Sequence, residues 1–119
     1  MTQNSREALI DLLFLSLYLD DRLSTAEDDV LTSALESLGW DSPASREKAI
    51  SEAYITAREI AADALRAEQF INSKADVIKH NGDEVVAITW LSRTLNSDGL
   101  TYMEKGFLKQ LETRLFPSV

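Results

Sequence analysis

The chain contains no cysteine, which excludes disulfides, thiolate nucleophiles and cysteine-ligated zinc together. That absence suits a reducing cytoplasm, the compartment expected for it. There is one histidine. His80 has no second ligand at i±3 or i±4, so Lys79-His80-Asn81-Gly82 is expected to be a surface turn rather than a metal or catalytic site. Basic residues are scarce, 12 against 20 acids. Nucleic acid is therefore a poor partner, because its binding depends on Lys and Arg neutralising phosphates. A long apolar run is also missing. Ala8 to Leu19 covers only 12 residues, includes Asp11 and ends in Asp20-Asp21. It falls short of the ~20 residues that span a bilayer, and it lacks the small residues of a signal-peptide cleavage site. No transmembrane segment is expected.

The remaining composition is that of a globular domain. The 119 residues, 45% hydrophobic and 27% charged, suffice to bury a core without staples, and residues 1–119 are expected to form one domain. The net charge of −8 is unevenly placed. Residues 7–41 hold nine acids and one base, while eleven acids balance eleven bases elsewhere. The excess faces a cation or a basic protein surface.

Periodicity points to helices throughout, with no alternating run long enough for a strand and no low-complexity linker. The first helix should run from Asn4 or Ser5 to Asp20 and is apolar almost all round, as a central buried helix would be. Ser24 and Glu27 form a capping box for a second, with the stripe Val30, Leu31, Ala34, Leu35, Leu38 and Gly39 as its stop. Asp41-Ser42-Pro43 restarts the chain with proline at the first helical position. The third helix carries Ile50, Ala53, Tyr54, Ala57, Ile60, Ala61, Ala64 and Leu65. Its break is expected at Asn72-Ser73, followed by a short segment ending at His80-Asn81-Gly82. From Asp83 or Glu84 a second apolar helix mirrors the first. The last opens with Thr101 and Glu104, runs through Met103, Phe107, Leu108, Leu111 and Leu115, and closes at Pro117. Trp40, Trp90, Tyr18 and Tyr54 are read as packing residues.

The most informative pattern is a repeat. Asp21-Arg22-Leu23-Ser24-Thr25-Ala26-Glu27 and Asp98-Gly99-Leu100-Thr101-Tyr102-Met103-Glu104 both read Asp-x-Leu-Ser/Thr-x-x-Glu, 77 residues apart. Each copy follows an apolar helix and precedes an amphipathic one. The expected fold is all-α, a compact single-domain helical bundle of two helix-loop-helix repeats related by a pseudo-twofold. The motif is not an EF-hand. There the acid before the invariant glycine stands one residue further from the bidentate glutamate than the six that separate Asp98 from Glu104. Two readings compete for the four acids. In one, Glu27 and Glu104 complete capping boxes while Asp21 and Asp98 complement helix dipoles. In the other, the two corners meet and Asp21, Glu27, Asp98 and Glu104 surround one hard cation, Ca²⁺ or Mg²⁺. No nucleophile elbow, P-loop, dinucleotide fingerprint or zincin motif occurs. Carboxylates at helix starts are held ionised rather than split in pKa, so no catalytic activity is expected.

These residues resemble the TerB-like domains of the tellurite-resistance family. The likeness covers roughly Leu9 to Phe116 and is carried best by Leu91-Ser92-Arg93-Thr94-Leu95-Asn96-Ser97-Asp98-Gly99. It implies an all-helical fold with a pseudo-twofold and divalent-cation binding at Asp21, Glu27, Asp98 and Glu104. It also implies a role in stress resistance through protein complexes near the cytoplasmic membrane. The chain departs from the family at Arg22, where glycine is usual. An acidic immunity-type antagonist that masks a basic partner without metal is the alternative expectation.

Overall fold

The computed structural model describes residues 1–19, 35–40, 42–43, 45–95 and 102–117. These form five helices, α1 Gln3–Leu19, α2 Arg46–Ile60, α3 Ala64–His80, α4 Glu84–Leu95 and α5 Tyr102–Leu115, with a helical turn at 35–38 and no strand among the described residues.

The core is organised around α1. Leu9, Leu12, Leu13 and Leu15 are fully inaccessible, and Ile10, Phe14 and Leu17 nearly so. A helix apolar on every side needs neighbours on every side. Accordingly, α1 touches all four other helices. Thr2 starts it by accepting the Ser5 amide on its hydroxyl at 3.2 Å, and also donates its own amide to the Asp83 carboxylate at 3.1 Å. The Ala53 and Ala57 side chains of α2 are buried. Small residues there let α2 lie close against α1, its most extensive neighbour. The chain forms a compact, all-helical single-domain bundle.

Two helix stops fall where glycine was expected to place them. Gly39 has φ +81°, and Arg6 Nε donates to the Leu38 carbonyl beside it at 3.2 Å. Gly82 has φ +73°. Its amide donates to the Lys79 carbonyl and the Asp83 amide to that of Ile78, both at 3.1 Å, a complete Schellman stop.

Three expectations are corrected. α2 begins at Arg46, not at Pro43, because Ser45 is the cap and its hydroxyl accepts the Lys48 amide at 3.0 Å. Asn72-Ser73 does not break α3, which continues through it. The break lies at 61–63, where the Asp63 carboxylate accepts the amides of Leu65 and Arg66 at 3.0 and 3.3 Å. α4 does not mirror α1 in burial. It buries only Ala87, Leu91 and Leu95, and Val85 and Val86 are more than half exposed.

Candidate functional site

Three of the four acids singled out by the repeat, Asp21, Glu27 and Asp98, lie outside the described residues, as do most of both motif loops. The fourth, Glu104, sits in the first turn of α5 and is 1% exposed, the one buried carboxylate among the described residues. Its position follows from the helix pattern. Phe107, Leu108 and Leu111 turn one face of α5 into the core, and Glu104 stands one turn before Phe107 and Leu108 on that face. Tyr102 and Met103 point the other way, 90% and 51% exposed. A carboxylate at that depth is costly unless donors or a cation compensate it. The N-terminal end of α5 supplies part of that compensation through its dipole.

The other charged groups are arranged in pairs. Asp11, the polar interruption of α1, meets Lys74 of α3 at 3.0 Å. Burial pushes the Asp11 carboxyl above the ordinary range. The Lys74 charge and hydrogen bond pull it down by less, and the Glu52 charge adds to the rise. Lys74 also lies 5.2 Å from the centre of the Phe70 ring, a cation–π distance. On the opposite side of α3, Arg114 forks onto Asp76 with two bonds of 2.8 Å. That hydrogen bonding holds the Asp76 carboxyl below its usual value. Among the described residues no group of three or more His, Cys, Asp or Glu side chains is placed to hold a metal. No helix among them is long and apolar enough to cross a membrane.

His80 is exposed at the last position of α3. Trp40 and Trp90 pack partly buried against the core, and Trp90 Nε1 donates to Ser37 at 3.2 Å. Tyr18 packs likewise. Tyr54 does not, being 41% exposed, because Ala53 and Ala57 take the inward positions of α2.

One further feature was not read from the sequence. α3 and α5 run side by side in the same direction, and a surface furrow lies between them. It comprises two cavities of about 630 and 680 Å³ that share Glu68, Gly106, Lys109 and Gln110. The signal available for it was Gly106, a glycine in the middle of an otherwise helical stretch, flanked by Lys105 and Lys109. Comparison with protein-family models, with curated proteins and with solved structures gives no match to this chain.

Proposed function

We propose that the chain is a non-enzymatic TerB-like domain whose acidic corner binds a divalent cation, Ca²⁺ or Mg²⁺, and couples it to a protein partner in a stress-resistance setting in the cytoplasm. The observation that carries the reading is Glu104. It is one of the four acids of the repeat and is 1% exposed at the start of α5. A hard cation held by Asp21, Glu27, Asp98 and Glu104 would take that inward-facing carboxylate as a ligand and fix both loops. The proposal requires the pseudo-twofold to bring the two corners together.

The test is thermal unfolding after chelation, with and without millimolar Ca²⁺ or Mg²⁺, on the parent chain and on Asp21→Asn and Asp98→Asn. A cation at 100 times its Kd stabilises by about 2.7 kcal/mol, which moves Tm by roughly 2–8 °C per kcal/mol. A shift that both variants abolish supports one shared site. An unmoved Tm rejects the cation, and the acids are then helix caps and a charged surface. The concentration of acids in residues 7–41 favours, as a second reading, an antagonist that masks a basic partner. Its binding would fall steeply with salt and need no metal.

A further inference from the structure

We propose that the furrow between α3 and α5 is a docking groove for an acidic amphipathic helix of a partner protein. Its lining carries a net positive charge, opposite to that of residues 7–41. Its shape comes first. Because the two cavities share four lining residues, they form one channel, reaching along α3 from Ala64 to Lys79 and along α5 from Tyr102 to Pro117. Sixteen residues of α3, Ala64 to Lys79, and the 14 of α5 with Pro117 just beyond them give a trough of about 22 Å. That is the length of a four-turn helix and too long for one small molecule.

Its floor is the second observation. Gly106 lines both cavities in the interior of α5, where glycine is the worst residue after proline for helix stability. A methyl group built on it meets nothing within 4 Å, so no packing among the described residues requires the missing side chain. The missing side chain leaves room there for another backbone or side chain to come close.

The lining changes character along its length. At the end near Leu19, the walls are Ile71, Phe107 and the exposed Met103 and Tyr102. The Ser16 hydroxyl also lines this end, 2% exposed and with no hydrogen-bond partner among the described residues. At the other end the lining is polar and cationic. Across the whole furrow Lys79, Lys105, Lys109 and Arg114 stand against Glu68 and Asp76, a surplus of two positive charges on a chain of net −8. Arg114 and Asp76 satisfy each other. Lys79, Lys105 and Lys109 remain as exposed cations, and Glu68 is the other exposed acid of the lining. Apolar anchors spaced i, i+3, i+4 and i+7 would fill the first end, and Glu or Asp on the flank would meet the lysines.

The experiment uses the full chain and a designed fluorescent peptide of about 16 residues, with Leu and Phe at those four spacings and Glu elsewhere. The control replaces every Glu with Lys. Fluorescence anisotropy should show saturable binding of the acidic peptide with Kd below roughly 100 μM and weaker binding at high salt. Lys105→Glu with Lys109→Glu should weaken it by at least about tenfold. Gly106→Leu fills the floor and should abolish binding while leaving Tm at or above that of the parent, so loss of fold is not the cause. The proposal is overturned if the acidic peptide does not bind, if the basic peptide binds as well, or if Gly106→Leu binds undiminished. It is also overturned if sedimentation shows a dimer of the chain that Gly106→Leu dissociates, because a second copy then occupies the groove.

Discussion

Replacing Gly106 with alanine should make the protein more stable, and replacing Gly82 with alanine should make it less so, although a methyl group added at either position meets nothing within 4 Å. With sterics absent from both, the backbone alone decides the sign. Gly106 lies inside α5 with ordinary helical geometry, so alanine removes the entropy cost of fixing glycine and gains about 0.8–1.0 kcal/mol. Gly82 stands at φ +73°, where an L side chain costs about 1–2 kcal/mol, and the Schellman bonds to Lys79 and Ile78 hold it there. The predicted gap between the two variants is thus about 2–3 kcal/mol. Urea unfolding followed by far-ultraviolet circular dichroism resolves that gap, provided the slopes with denaturant stay equal. In thermal unfolding each kcal/mol is worth about 3–5 °C for a chain of this size. A loss of stability beyond about 0.5 kcal/mol in Gly106→Ala would refute the reasoning, because it would mean that the walls of the furrow meet over Gly106 instead of leaving it open.

Leu13→Ala, at a fully inaccessible position of α1, should cost about 2.7–5 kcal/mol. Val86→Ala, at a position 54% exposed, should stay within about 0.5 kcal/mol in the same denaturation assay. Asp11 and Asp76 should give opposite pH slopes. The Asp11 carboxyl is raised by burial, so the folded chain holds that proton longer than the unfolded one. Its contribution to stability is intact below the ordinary aspartate pKa and is lost as pH rises through the elevated folded value. Asp76 is lowered by Arg114. Its contribution is present above the ordinary value and is lost as pH falls through the depressed one. Stability measured from pH 2 to 7 should lose the first component in Asp11→Asn and the second in Asp76→Asn. A parent-like pH profile in either variant would show that its carboxylate does not titrate as its surroundings dictate.

Features set by the local chain were legible without coordinates. An apolar residue at nearly every position from Leu9 to Leu19 leaves α1 only a narrow outward edge, so its central place followed from composition. Leu38-Gly39 and Asn81-Gly82 could only end helices, and their positive φ values are the conformations glycine was read as supplying. Where two signals competed, the weaker-looking one won. Asp63 was buried in a run of helix formers, yet its carboxylate caps two amides of α3. Asn72 and Ser73 look like a break but lie on the outer, non-buried side of a continuous helix. The same limit applied to the candidate site. Glu104 is one of four equivalent acids in the repeat, and only the packing of α5 distinguishes it as buried. The furrow is a relation between helices about 40 residues apart in sequence, defined by a side chain that Gly106 does not have. No local pattern encodes that.

The placement of α1 among all the other helices also governs how the chain must be made. α1 leaves the ribosome before any of its four partners, and the last of them, α5, ends at Leu115. At a synthesis rate of about 5–20 residues per second, a helix with a narrow polar edge at Asn4, Glu7 and Asp11 waits roughly 5–20 s for its full surroundings. Early contact with α2 covers one side only. During that interval α1 is the segment on which a nascent-chain chaperone would bind and on which premature association between chains would begin. A circular permutation that moved α1 behind α5 would shorten the wait and relieve both.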